Sequence, residues 1–304
     1  MNQRSPDSTA LSWDLLSAFL AVMRTGSLSA ASRVLSVAQP TVRRQIETLE
    51  EVLGVVLFTR SPTGLIATEA ADAALPYAES MAAVADALVR SASARTDAER
   101  GTVRITCSEV VGVEVMPPIL AELQRLHPKL QLELSLSNAN EDLLRREADV
   151  AVRMAQPTQS ALIAKRVGTV KLGAFASEAY LAAHPIPRSP ADLMHGHALI
   201  GRDRDTSFLP VLAAAGIVLK RKDFTLRTDN DAAYLAAIRA GAGVGICQVP
   251  LAAGPPPLRR LLPKLVFELP VWVVTHEDLR STRRVSIVYE HLVAALAKYV
   301  RSAS

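Results

Sequence analysis

The chain has 304 residues, which suffices for two or three domains at roughly 100–200 residues per domain. Hydrophobic residues make up 49% and charged residues 21% of the sequence, a balance that excludes a disordered chain. A net charge of +4 permits a nucleic-acid partner but does not indicate one, because the local distribution of charge matters more than its sum.

The N-terminal segment predicts three short helices followed by a hairpin. Apolar residues recur at helical spacing over residues 12–25, over SLSAASRVL from Ser27, and through QPTVRRQIETLEEVLG. Ser27 is a candidate N-cap, and Pro40 lies in a first turn, where a missing N–H costs nothing. VVLFTRSPTGLIAT then predicts a strand, a turn and a strand. This order of elements predicts a winged helix-turn-helix domain over residues 1–70.

One long helix rich in Ala is predicted over residues 68–93. Leu75, Ala82 and Val89 recur every seven residues, and a second set of alanines recurs three positions later, as in the a/d seam of a coiled coil. Two interpretations stay open: a helix packed on its own domain, and a dimerising linker helix over residues 71–98.

From Gly101 onward, strand and helix patterns alternate. This alternation predicts a parallel-sheet α/β architecture for residues 99–304. The predicted strands are 102–107, 130–136, 149–153, 172–175, 244–249 and 271–275, and the predicted helices are 117–127, 140–146, 231–240 and a last helix ending at Tyr299.

The N-terminal residues resemble those of the LysR-type transcriptional regulators in order and spacing. The shared residues are Ser27, Ala30-Ala31, Leu35-Ser36-Val37, Gln39-Pro40, Arg44-Gln45-Ile46, Leu49-Glu50, Leu53-Gly54, Leu57-Phe58, Arg60 and Thr68-Glu69-Ala70. The resemblance implies a DNA-binding domain, a dimerising linker and an effector-binding domain. It further implies two Rossmann-like subdomains similar to type 2 periplasmic binding proteins, with subdomain I at 99–173 and 272–304 and subdomain II at 174–271.

The predicted helix-turn-helix carries an unusual local charge. Residues 15–46 contain no acid, and their basic residues are Arg24, Arg33, Arg43 and Arg44, so this stretch approaches DNA without repulsion. Arg43 and Arg44 lie off the apolar stripe of the third helix, and an Arg in the major groove can bond both O6 and N7 of guanine. The alternative is a solvated helix face. The predicted DNA-binding residues are Ser27, Gln39, Pro40, Thr41, Arg43, Arg44 and Arg60.

The sequence departs from the family pattern in three places. Ala38 stands where Ser is frequent, and the loss of that cap is expected to cost about 1 kcal/mol unless another group replaces it. Arg43 also replaces a frequent Ser and adds a charge. The wing tip, Pro62-Thr63, lacks the usual basic residue, which leaves Arg60 as the basic candidate there.

Ligands of this architecture bind in the crevice at the carboxyl ends of the strands. Ser108 and Asn138 follow the first two predicted strands, and Arg153 ends the third. Arg202 and Asn230 take the equivalent places across the cleft. We therefore expect these five residues to bind a small-molecule effector, a co-inducer of unknown identity. Helix capping by Ser108, and structural roles for Arg153, Arg202 and Asn230, stay open as alternatives.

Chemistry other than binding has little support in the sequence. Cys107 and Cys247 form no CxxC pattern, which disfavours a disulfide framework and a Cys-based zinc site. No GxSxG, HExxH or P-loop motif occurs, so we expect no enzyme, no catalytic residue, no metal and no cofactor. The N-terminus has no signal-peptide core, and no apolar run approaches the ~18 residues of a membrane span, so we expect a cytoplasmic location without membrane partners.

The sequence thus predicts a sequence-specific DNA-binding transcriptional regulator. An effector bound between the C-terminal subdomains would control how the protein binds promoter DNA. The resemblance also implies a homo-oligomer, a dimer or a tetramer, that contacts RNA polymerase. The competing hypotheses are a small-molecule binding protein of periplasmic type without a DNA function, and an α/β enzyme.

Overall fold

The structure is a computed structural model that describes residues 11–61, 64–92, 99–138, 148–157 and 162–302. The described chain divides into two compact units, here called the N-terminal unit, which runs to Val89, and the C-terminal unit, which contains the residues after it. The expected wing tip at Pro62-Thr63 and the expected helix over residues 140–146 lie outside the described residues.

The N-terminal unit has the predicted order of three helices, a hairpin and a long helix. Its elements are α1 (Trp13–Thr25), α2 (Leu28–Leu35), α3 (Gln39–Leu53), β1 (Phe58–Ser61), β2 (Gly64–Ala67) and α4 (Glu69–Ala92). β1 and β2 pair in antiparallel fashion, which places Arg60 opposite Leu65. These elements confirm the predicted winged helix-turn-helix.

The core of the N-terminal unit forms where the apolar stripes of the helices meet. Phe19 of α1 and Leu49 of α3 are each 1% exposed, and Leu57 is fully buried between α3 and β1. The hairpin is fixed to the turn after α1, because the Leu65 N–H donates to the Gly26 carbonyl oxygen at 2.8 Å. Gly64 has φ +144°, and a Cβ on it would lie 2.6 Å from that same oxygen, so this contact requires glycine.

The apolar residues of α4 form two separate faces. Ala78 is buried, and Leu75 and Ala82 pack beside it on the core of the N-terminal unit. The first half of the predicted seam therefore packs on its own domain. A different face of α4 is exposed, and we call it the α4 stripe: Tyr77, Met81, Val84 and Leu88. Its spacing of four, three and four residues is that of a heptad seam.

The C-terminal unit alternates strands and helices, as predicted. Its strands are β3 (Gly101–Cys107), β4 (Leu130–Leu136), β5 (Val150–Arg153), β6 (Leu162–Ser177), β7 (Ile200–Gly201), β8 (Leu226–Arg227), β9 (Gly245–Gln248), β10 (Leu258–Leu261) and β11 (Phe267–His276). Its α-helices are α5 (Glu109–Glu114), α6 (Met116–Leu126), α7 (Glu178–Leu181), α8 (Pro190–Gly196), α9 (Leu209–Ala214), α10 (Asp231–Arg239), α11 (Glu277–Arg280) and α12 (Arg283–Arg301).

The main sheet is mixed, whereas the sequence predicted parallel pairing. Its order is β10-β6-β11-β5-β3-β4, and β9 also pairs with β6. β3 runs parallel to β4 and β5, but β11 runs antiparallel to both β5 and β6. β6 and β11 are long strands that join the two halves of the unit, and a register shift at Val271/Trp272 lets one ladder continue past the junction.

Two lobes flank these joining strands. The first lobe contains β3, β4, β5, α5, α6 and α12, and the second contains β7–β10 and α7–α10. Val103 and Ile105 of β3 are fully buried in a core that also includes Leu235 and Ile238 of α10. Leu193 and Ile217 belong to a separate apolar cluster in the second lobe. Within the described ranges, no helix has the length and apolar character needed to cross a membrane.

Candidate functional site

The solvent face of α3 carries the predicted DNA-binding residues. Gln39, Pro40, Arg43 and Arg44 are exposed, and Thr41 is half-buried. The opposite face buries Val42, Ile46 and Leu49 in the core. The burial pattern therefore fixes which side of α3 faces away from the unit, and it places both arginines on that side.

The two neighbouring arginines differ in their partners. Arg43 Nε lies 3.5 Å from Glu47 Oε1, one helical turn away. Arg44 has no hydrogen-bond or ion-pair partner within the described part of the chain. Arg44 is therefore the arginine of this face that can bind a ligand without giving up an existing contact.

The start of α3 is exposed to solvent and has no side-chain cap. Ala38 is the N-cap residue in an extended conformation, and no side chain caps the helix. Pro40 has no N–H and the Thr41 N–H donates to the Ala38 carbonyl oxygen at 2.9 Å, but the helix dipole still makes this end partly positive. Such an end suits a phosphate group.

The remaining predicted DNA-binding residues lie on neighbouring elements. Ser27 caps α2, where its hydroxyl oxygen accepts the Ala30 N–H at 3.0 Å. Arg60 is exposed on β1, and Arg24 and Arg33 are exposed on α1 and α2. All four arginines of the acid-free stretch are therefore exposed to solvent.

Glu50 has a structural role that the sequence reasoning missed. Its Oε1 accepts the N–H of Leu57 at 2.6 Å and that of Phe58 at 3.1 Å. This carboxylate fixes β1 to the end of α3, so it positions the wing relative to the exposed face of that helix. The sequence around Glu50 does not indicate this contact, because the turn after α3 separates the carboxylate from the two N–H groups that it accepts.

A cavity of about 420 Å³ lies in the C-terminal unit. This volume is within the usual range for small-molecule sites, about 300–1,000 Å³. Ser108, Asn138, Arg153 and Arg202 all line it, whereas Asn230 does not. The Asn230 side chain instead accepts the Ala233 N–H at 2.8 Å and caps α10, which is the structural alternative considered for this residue.

The geometry distinguishes between the two interpretations of Ser108, helix capping and effector binding. It precedes α5, but its side chain makes no capping hydrogen bond there. Ser108 lines the cavity instead. Asn138 Oδ1 accepts the Glu109 N–H at 3.3 Å, so the amide that lines the cavity is also held against the start of α5.

The two cavity arginines are held in place by other residues. Arg202 forms an ion pair with Asp231, donates to the Asp229 carbonyl oxygen at 3.0 Å, and lies over the Tyr234 ring. Arg153 is 7% exposed and donates to Thr106 Oγ1 at 3.3 Å. Both guanidinium groups are therefore oriented before any ligand binds.

Tyr234 lines the cavity, although the sequence reasoning did not assign it, and Asp229 fixes the neighbouring backbone at Asp203 and Arg204. The Tyr234 hydroxyl donates to the Ile200 carbonyl oxygen and accepts the Ile246 N–H, both at 3.0 Å, and burial raises its pKa to about 12. The Asp229 carboxylate accepts the backbone N–H of Asp203 at 2.9 Å and that of Arg204 at 3.0 Å. The Arg204 backbone N–H is the main reason that the pKa of Asp229 is lowered to about 2.

Metal and thiol chemistry have no site in the described residues. No group of three or more His, Cys, Asp or Glu side chains there could hold a metal ion. Cys107 and Cys247 are both buried thiols, and burial raises the pKa of each to about 12. Neither thiol is therefore ionised near neutral pH.

Two family models match the chain. One, described as "Bacterial regulatory helix-turn-helix protein, lysR family", matches residues 13–72, and the other, "LysR substrate binding domain", matches residues 96–297.

Similar proteins include an HTH-type transcriptional regulator of Xanthomonas campestris, 29% identical over 60% of this chain and 53% of the relative. A Mau operon transcriptional activator of Paracoccus denitrificans is 31% identical over 58% of this chain and 64% of the relative. The matched part of the chain thus spans less than two thirds of each of these two relatives.

A solved structure of full-length CbnR complexed with its target DNA has a similar fold. Its TM-score is 0.67 at 21% identity, and the alignment covers 94% of this chain and all of that one.

Proposed function

Because the chain belongs to the LysR family of bacterial regulatory proteins, we propose that it is a sequence-specific, DNA-binding transcriptional regulator. A small-molecule effector in the cavity of the C-terminal unit controls the geometry in which it binds promoter DNA. The observation that carries the proposal is Arg44, which is exposed and has no partner among the described residues, on the solvent face of α3. Such a guanidinium is suited to bind a base edge or a phosphate.

Each predicted domain has its own function in this proposal. Residues 1–70 bind DNA, residues 71–98 form the linker, and residues 99–304 bind the effector, with subdomains at 99–173 plus 272–304 and at 174–271. Ser27, Gln39, Pro40, Thr41, Arg43, Arg44 and Arg60 contact DNA. Ser108, Asn138, Arg153 and Arg202 contact the effector. An effector shifts the protein between two geometries only if it binds one of them more tightly.

The chain acts through binding and assembly in this proposal, not as an enzyme. The α4 stripe supports self-association, since exposed apolar residues at heptad spacing pack against an equivalent helix. Two N-terminal units joined in this way would read the two half-sites of a pseudo-palindrome. Contact with RNA polymerase and a cytoplasmic location complete the proposal.

The test is a fluorescence-anisotropy titration of the full chain with the intergenic DNA upstream of its gene. Arg44→Ala is expected to weaken binding by about 1–3 kcal/mol, roughly 5- to 150-fold. The matched control is Arg125→Ala, which removes an exposed arginine from α6 of the C-terminal unit. Equal affinities for the wild type and Arg44→Ala would remove Arg44 from the DNA interface, and no binding of the wild type to any upstream DNA would overturn the proposed function.

Salt dependence shows what Arg44 contacts. If it contacts a phosphate, Arg44→Ala lowers the slope of log K against log salt by about 1, and affinity falls for all sequences alike. If it contacts a base, the slope is retained and discrimination at one base pair is lost.

A further inference from the structure

The cavity of the C-terminal unit extends beyond the expected polar band into the second lobe. Six apolar residues line this extension, which we call the apolar chamber: Phe208, Leu209, Leu212, Ile217, Leu219 and Phe224. They come from α9 and the residue before it, from the segment after α9, and from the residue that follows the 3₁₀ turn at Arg221–Asp223. All six belong to the apolar cluster of the second lobe, so the cavity enters a region that would otherwise be a closed core.

A chamber lined by apolar side chains favours an apolar occupant. Protein interiors are normally close-packed, and apolar cavities without polar partners stay dry and bind apolar molecules. A sugar or another polyhydroxylated ligand would lose its bonds to water against these six side chains, which offer it no hydrogen bond. The apolar chamber therefore favours a ligand whose buried part carries no polar groups.

The other end of the same cavity selects an anionic head group. Ser108 offers a hydroxyl that makes no capping bond, and Arg153 places a nearly buried guanidinium at the wall. A carboxylate accepts hydrogen bonds from a hydroxyl and a guanidinium together, and such charge-assisted bonds are stronger than those between neutral groups.

We propose that the effector is an amphipathic carboxylic acid, whose carboxylate binds near Ser108 and Arg153 and whose apolar body fills the chamber. This inference rests on the proposed function for its biological meaning, but its binding test needs no DNA. Head and body are recognised in different lobes, so such a ligand bridges them and binds best to one relative arrangement of the lobes.

The experiment is calorimetric titration of the full chain with butanoate, hexanoate and octanoate, with 1-octanol as the neutral counterpart of octanoate. Each added methylene is expected to raise affinity about fourfold while it enters the chamber. Octanoate is expected to bind at least about tenfold more tightly than 1-octanol, since only the acid forms charge-assisted hydrogen bonds. Affinities that do not depend on chain length would overturn the chamber assignment.

Two pairs of matched variants locate the apolar body. Leu209→Trp fills the chamber from α9, whereas Val211→Trp places the same side chain on the exposed side of that helix. Leu219→Trp and its exposed neighbour Val218→Trp form a second pair, in case the first variant does not fold. Leu209→Trp or Leu219→Trp is expected to abolish the gain from hexanoate to octanoate, and the controls to retain it. A chamber variant that folds and binds octanoate like its control would overturn the proposal.

Ser108→Ala locates the head group. It is expected to weaken octanoate binding about tenfold and to leave 1-octanol binding unchanged, so that the difference between acid and alcohol narrows. An equal effect on both ligands would overturn the head assignment. DNA titrations separate the two proposals: upstream DNA binding without any effect of chain length refutes only the ligand class, whereas octanoate binding without any DNA binding refutes only the proposed regulator.

Discussion

Arg239 donates from Nη1 and Nη2 to the two carboxylate oxygens of Glu114 at 2.7 and 2.8 Å, which joins the two lobes by a bidentate ion pair. Glu114 ends α5 of the first lobe, and Arg239 ends α10 of the second. At the other end of these helices, Glu109 Oε2 accepts the Asp231 N–H at 2.8 Å. α5 is therefore tied to both ends of α10, directly beside the cavity that Asp231 lines.

Breaking the bidentate pair is expected to destabilise the C-terminal unit. The side chains of Arg239 and Glu114 are only 15% and 22% exposed, so Glu114→Gln leaves a largely buried guanidinium without its anion. We expect a loss of about 1–3 kcal/mol in the free energy of unfolding by urea. A double-mutant cycle with Arg239→Gln isolates the coupling between the two residues.

The control for this cycle is the exposed pair of Arg259 and Glu178, separated by 3.8 Å. Exposed pairs contribute about 0–1 kcal/mol, so Glu178→Gln is expected to change stability little. A coupling energy for Glu114 and Arg239 that is no larger than that of the control pair would show that the bidentate contact does not hold the lobes together.

The uncapped start of α3 predicts a stabilising substitution. Ala38 has φ −68° and ψ 143°, an N-cap conformation in which a serine oxygen can accept an N–H of the first turn. Ala38→Ser is expected to add about 1 kcal/mol to the stability of the N-terminal unit. Urea unfolding followed by Trp13 fluorescence, in a Trp272→Phe background, reports this unit alone.

Two serines provide internal controls for the cap. Ser27→Ala removes the 3.0 Å bond from the Ala30 N–H to the hydroxyl and is expected to cost about 1 kcal/mol. Ser12 precedes α1 but makes no side-chain cap bond, so Ser12→Ala is expected to be nearly neutral. No gain from Ala38→Ser, alongside the expected loss from Ser27→Ala, would show that a serine at this position does not cap α3.

Local patterns predicted those elements whose signals lie within the element itself. The strand over residues 130–136 was predicted with the bounds observed for β4, because its alternation and the Pro before it are local features. The bounds of α3 follow from Pro40 at one end and Gly54, with φ 69°, at the other. The cavity positions of Ser108, Asn138 and Arg153 followed from strand ends in the same way.

Features that depend on distant partners could not be predicted. Arg239 and Glu114 are 125 residues apart, and nothing near either residue marks it as a partner of the other. β6 is 16 residues long, but Lys165 and Arg166 break the apolar pattern of its first half, which is paired by β11. The apolar chamber depends on how the segments after α8 pack, which periodicity does not describe.

Acid is expected to destabilise the second lobe through His197. Burial, and then the nearby His184, lower the pKa of His197 from its ordinary value of 6.5. As the pH falls below 6.5, His197 is protonated in the unfolded chain but stays neutral in the folded chain. The free energy that neutral His197 contributes to folding is therefore complete above pH 6.5 and is lost as the pH falls toward the pKa of the folded state. His197→Gln is expected to flatten urea stability in this window, whereas exposed His195→Gln is not. Equal pH slopes for the wild type and His197→Gln would contradict this role.

The α4 stripe is expected to mediate self-association of the chain. Met81 and Val84 are 46% and 43% exposed in the N-terminal unit, which is a large apolar area to leave in water. Met81→Glu would bury an unpaired charge at such an interface, so we expect light scattering to show a smaller assembly than that of the wild type. Val56→Glu introduces the same charge at an exposed apolar site outside α4 and is expected to leave the assembly intact. If Met81→Glu and the wild type have the same mass at equal concentration, the stripe is not the contact between copies.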